Sequence, residues 1–134
     1  MTRKSVKTLL TLTEVGMLAY WLFALTVVSG LIYVPPALMY SDYDNPLIVS
    51  WNWSFFPIDV MFSVTGLLAR FGRLTDAVRG NLEIFSLSLM FCAGLMAISF
   101  WLLQLWFDPF WWRVNIWLIV LAGYALLFGN RGKS

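Results

Sequence analysis

Residues Leu47 to Arg70, LIVSWNWSFFPIDVMFSVTGLLAR, form an apolar run long enough to cross a bilayer, yet Asn52, Pro57 and Asp59 stand inside it. A helix spans the hydrocarbon core with about 20 apolar residues. A carboxyl near its middle is costly enough that it faces a protein interior, a cavity or a partner, and so marks a functional site. The remainder of the chain has the same character. Of 134 residues, 60% are hydrophobic and 12% charged, where a soluble domain carries roughly a quarter charged residues. The chain therefore reads as an all-α integral membrane protein, a four-helix bundle folded as a single transmembrane domain over residues 1–134. The length admits about four or five spans at most and leaves no room for a soluble domain.

The helices are expected at about 8–34, 47–70, 81–106 and 113–128. The first run is longer than the core of a signal peptide and lacks a small-residue cleavage site, so it is expected to be retained as an anchor. Pro35, Pro36 and the SDYDN cluster end it in an exposed loop with a short helix near Ala37. Arg70, Arg73, Asp76 and Arg79 make a polar connection, Asp108 and Pro109 a tight turn, and GNRGKS a basic tail. Every Lys and Arg except Arg113 lies at the N-terminus, the middle loop or the tail, while Asp42, Asp44 and Asp108 lie in the other two loops. Positive residues collect on the cytoplasmic side, which places both termini in the cytoplasm. At the acidic end Tyr33, Tyr40, Tyr43, Trp51, Trp53, Trp106, Trp111 and Trp112 are expected to form an aromatic belt at the headgroups. The alternative for these rings is the mouth of a ligand site. Cys92, the one cysteine, is expected to pack as a small hydrophobe and offers neither a disulfide nor a CxxC exchange.

Three acids fall within helices, Glu14, Asp59 and Glu83, and no Lys, Arg or His falls well inside. Each must be protonated, reached by a snorkelling Arg or Lys, or neutralised by a cation or a partner. At 1.5 Å per residue Glu83 lies about 6 Å past Arg79, Glu14 about 10 Å past Lys7, and Asp59 about 16 Å from Arg70. Asp59 is the deepest. Residues seven apart nearly align on a helix, so Asn52, Asp59, Ser63 and Gly66 form one stripe. Glu14 aligns with Leu18, Trp21, Leu25 and Val28, and Glu83 with Met90, Gly94, Ala97 and Trp101. Small residues favour close helix contact in lipid, which brings these faces together. Pro57 removes the hydrogen bond to the Trp53 carbonyl and predicts a kink one turn from Asp59.

Two stretches carry a family resemblance, TEVGMLAYWL from Thr13 and SDYDNPLIVSWNWSFFPIDVMFSVTGL from Ser41. They resemble the YvaD-like family of small bacterial four-helix membrane proteins of unknown function. That family's pattern is an acid and a Tyr-Trp pair in the first helix, followed by a DY-x-x-P…WNWSF-x-P-x-D run in the second. Glu14 stands where the pattern has aspartate, which keeps the acid. The motifs cover the first half of the chain and the layout covers all of it. The resemblance implies the fold, a bacterial inner membrane and the importance of Trp51 to Asp59; it implies no activity.

Without histidine the usual haem ligand, imidazole bases, most zinc sites and nucleophile–His pairs are missing. No phosphate-binding glycine loop is present. No cofactor, metal or catalytic residue is expected, and an enzyme would have to work with carboxyls alone. The few basic residues are explained by topology and anionic lipid, which gives no indication of nucleic-acid binding. Three roles fit. The first is a small transporter or binding bundle in which a buried carboxyl exchanges a proton for a polar or cationic small molecule, with Asp59, Asn52, Glu14, Trp21, Trp51 and Ser63 as its ligand-binding residues. The second is an accessory or immunity-type subunit of a homo-oligomer or larger membrane complex. The third is a structural bundle. The first requires an open cavity lined by Trp21, Asn52 and Asp59, and a dry helix contact there excludes it.

Overall fold

A computed structural model of the chain describes residues 2–40 and 42–129, with Arg3 described in its backbone alone. The tail cations Arg131 and Lys133, the Arg3 side chain and Ser41 of the acidic loop lie outside the described residues. The described residues form five α-helices: α1 (Arg3–Val28), α2 (Pro46–Ser54), α3 (Phe56–Phe71), α4 (Asp76–Leu103) and α5 (Pro109–Phe128). Lys4–Val28, Pro46–Phe71, Asp76–Leu103 and Pro109–Phe128 are each long and apolar enough to cross a membrane.

Helix ends follow local chemistry, and this moves them from the expected positions. Helix α1 stops at Val28 rather than Val34, because Gly30 takes a left-handed φ of 75°. Its N–H reaches the Val27 carbonyl and that of Leu31 the Thr26 carbonyl, both at 3.0 Å, the paired bonds of a glycine-terminated helix. The expected short helix near Ala37 is a 3-10 turn over Pro36–Leu38. Asn45 caps α2, and Asp108 caps α5 by accepting from the Phe110 and Trp111 N–H groups at 3.0 Å. With Pro109 at its first turn, α5 begins four residues earlier than expected. Helix α4 ends on the same hydrogen-bond pattern as α1, but the left-handed position is filled by Leu105 at φ 52°.

Helix α4 packs against both α3 and α5, while α1 packs on α3. Met90, Gly94, Ala97 and Trp101 are all buried, as their spacing predicts. A Cβ at Gly94 would lie 2.7 Å from the Asn115 carbonyl oxygen, so α4 and α5 meet backbone to backbone there. On α1 the expected face holds at Trp21 but not beyond it: Leu25 and Val28 are exposed, because the helix continues past α3. Cys92 is likewise exposed, on the outer side of α4, rather than packed.

Helix α1 is fastened to α3 by charge. Glu14 is wholly buried and forms an ion pair with Arg70, whose Nε also donates to Thr11 Oγ1 at 3.1 Å. Arg70 extends back from the end of α3, the snorkelling geometry open to a long side chain. The carboxyl lies against Gly66, where a Cβ would meet it and would come within 2.6 Å of Ser86 Oγ. Ser86 in turn donates to the Phe62 carbonyl at 2.7 Å, joining α4 to the same node.

Three outcomes follow. Gly66→Ala should destabilise the bundle by about 1–3 kcal/mol through overpacking, read as a lower midpoint of thermal unfolding in detergent. Arg70→Gln should cost about 3–5 kcal/mol by stranding the buried Glu14, with part of the loss recovered when Glu14→Gln is added. Leu105→Gly should raise the midpoint, since relieving a left-handed leucine is worth up to about 1–2 kcal/mol.

Candidate functional site

Pro57 has no N–H to donate and cannot sit inside a regular helix, so the second membrane segment breaks at Phe55 into α2 and α3. The break places Asp59 in the first turn of a new helix, its N–H bonded to the Phe55 carbonyl at 2.9 Å. The positive end of the helix dipole favours an anion there. The side chain is 6% exposed. Trp21 Nε1 donates to Asp59 Oδ2 at 2.9 Å. The indole is held in turn by Tyr20, Trp53 and Phe56, with ring centroids 5.1–5.3 Å away.

Beside Asp59 a cavity of about 470 Å³ lies between α1, the α2–α3 break and α5, with Tyr20, Trp21, Asn52, Asp59, Trp111 and Asn115 among its walls. It exists because α1 and α5 touch at few points. A hydrogen bond joins them, from Trp117 Nε1 to Thr13 Oγ1 at 2.9 Å. Gly16 also lines the gap, and a Cβ there would meet nothing within 4 Å. A second cavity of about 820 Å³ lies under the loop at the acidic end, walled by Asp42, Asp44, Asp108, Tyr40 and Tyr43. The two share Tyr20, Asn52 and Phe110. Burial, reinforced by Tyr20 and Tyr43 nearby, pushes the Tyr40 phenol above its ordinary range, so it remains a protonated donor near neutral pH.

Of the residues picked from sequence, Asp59, Asn52 and Trp21 line one cavity. Asn52, Asp59, Ser63 and Gly66 are all buried along one face across the break. Ser63 lies deeper in the bundle, and Glu14 is engaged by Arg70 about two turns below. Trp51 stacks on Phe100 at 3.9 Å and packs edge-on to Trp101. It belongs, with buried Trp111 and Phe55, to an internal aromatic cluster. Of the expected belt, Tyr33 and Trp106 are exposed, while Trp111 faces inward. Sequence reasoning missed Tyr20, Asn115 and Arg113, which also line the cavity. Arg113 was visible as the one cation at the acidic end, and Asn115 as a polar residue two positions on in an otherwise apolar helix.

A carboxyl, an indole N–H and an amide around an apolar-walled space can bind and orient a polar group. Among the described residues no three His, Cys, Asp or Glu side chains gather as metal ligands.

The model of a family of unknown function, DUF5360, matches residues 6–129. The chain is 38% identical over 117 residues to the uncharacterized protein YvaD of Bacillus subtilis (strain 168), covering 87% of this chain and 82% of that protein. No solved structure gives a significant match. The resemblance carried by the WNWSF-x-P-x-D run is thereby borne out, and the chain belongs to the DUF5360 family of small, YvaD-like proteins of unknown function.

Proposed function

We propose that this membrane protein binds a small organic cation at Asp59 and exchanges it for a proton, the elementary step of proton-coupled transport, with the basic end of the bundle in the bacterial cytoplasm. One observation carries the reading: a deeply buried carboxyl borders an open cavity with a neutral donor, Trp21, as its hydrogen-bond partner and no ion pair among the described residues. A buried acid that serves only packing is normally matched, as Glu14 is by Arg70. Asp59 is held in position but left without a counter-charge, the condition in which a carboxylate attracts a cation. The aromatic residues beside Asp59 in the lining, Tyr20 and Trp21, support the same ligand class, because aromatic rings attract organic ammonium groups. The acidic outer cavity, which shares Tyr20 and Asn52 with the inner one as lining, favours cations next to it.

Binding of alkylammonium ions of graded chain length to the purified protein, followed by calorimetry and by the fluorescence of the cavity tryptophans, tests this. The carboxylate binds a cation and the carboxylic acid does not. Affinity should therefore fall as pH is lowered through the Asp59 titration, by about tenfold per pH unit below it. Asp59→Asn should abolish binding while the thermal midpoint stays near that of the wild type. Binding that survives in Asp59→Asn, or that is independent of pH, would remove Asp59 from the role.

A further inference from the structure

The cavity at Asp59 carries a second charge that cation binding does not use. Arg113 lines it from α5 and is, among the described residues, the one basic residue at the acidic end of the bundle. It is exposed and forms no ion pair among the described residues. On the same helix Trp111 lines the cavity and is buried, with an indole nitrogen that has no hydrogen-bond partner among the described residues. A guanidinium and a free indole N–H are donors only, and they select an anionic oxygen such as that of a phosphate. One side of the cavity is thus built to hold a cation and the other an anion. A simple cation leaves Arg113 unmatched, and a simple anion leaves Asp59 unmatched.

The rest of the lining is apolar, with Leu12, Met17, Val114 and Leu118 among it. The cavity lies between α1 and α5, two membrane-length helices that meet at few points, one of them the Trp117–Thr13 hydrogen bond. Leu12 and Trp117 on its edges are exposed, so this side opens toward hydrocarbon. Gly16 leaves the gap clear.

We infer that the cavity holds the headgroup of a zwitterionic amphiphile, one carrying an ammonium and a phosphate, which enters sideways from the bilayer between α1 and α5; this rests on Asp59 being a cation site. The ammonium meets Asp59, the phosphate meets Arg113 and Trp111, and the chains leave past Gly16 into lipid. A space of about 470 Å³ suits a headgroup and its first carbons rather than a whole lipid. The chains therefore stay in the hydrocarbon, which is where an open side is useful.

Native mass spectrometry of the full protein in mild detergent tests this with four probes: phosphatidylethanolamine, phosphatidylglycerol, dodecylamine and chain-free phosphoethanolamine. Phosphatidylethanolamine should be retained about tenfold more tightly than any other probe. Arg113→Gln should lower it to the level of dodecylamine, and Asp59→Asn to that of phosphatidylglycerol. Gly16→Phe, whose ring enters open space, should remove it while circular dichroism stays unchanged. Equal retention of dodecylamine and phosphatidylethanolamine, unaffected by Arg113→Gln, would overturn the inference and leave the cation site standing. Chain-free phosphoethanolamine binding as tightly as the lipid would overturn sideways access. Probes insensitive to Asp59→Asn would overturn the cation site as well. A dimer that dissociates in Gly16→Phe without lipid adducts would make the gap an interface between copies and overturn the proposal.

Discussion

Charge buried in a low dielectric has to be matched, and the contact between α1 and α3 meets this requirement in two opposite ways. At one level Glu14 is closed off by Arg70 and seated on Gly66, with Ser86 behind it. About two turns along, Asp59 has one indole N–H and a cavity. The first arrangement is a fastening and the second borders open space. Two acids that look alike in composition thereby take different parts, and the difference comes from whether a cation can reach them.

The rest of the bundle follows from that contact. Helix α4 is clamped between α3 and α5 by small residues, Ala93, Gly94 and Ala97, that let backbones approach. Helix α1 has no such stripe toward α5, and its buried side chains, Val6, Leu10, Glu14 and Trp21, are concentrated on the side it turns to α3. The cavity is the space left where a helix held chiefly on one side meets one held chiefly on the other.

Much of this was legible in the residues. Four spans, the buried stripe from Asn52 to Gly66 and the depth of Asp59 follow from hydropathy and a period of 3.6, which act locally. What was not legible depended on partners distant in sequence. That Arg70 reaches Glu14 needs α1 and α3 set antiparallel at one register, and among the snorkelling cations open to choice nothing local singles out Arg70. The inward turn of Trp51 and Trp111 was hidden for the same reason, since an aromatic residue at a membrane interface and one in a core look identical in a list of residues. The end of α1 at Val28 could have been found, because Gly30 is the residue type that closes a helix; hydropathy alone ran past it to Val34.

The matched pair has a consequence for how the protein is made. Chains enter the membrane from the N-terminus onward, so Glu14 reaches the bilayer while Arg70, two helices later in the chain, is still to be synthesised. A lone acid at that depth is unfavourable by a few kcal/mol on insertion scales. Helix α1 therefore gains its full stability in the bilayer only when α3 delivers the guanidinium. The first and second membrane segments are then expected to settle together as a hairpin, closed by the pairing of Glu14 with Arg70.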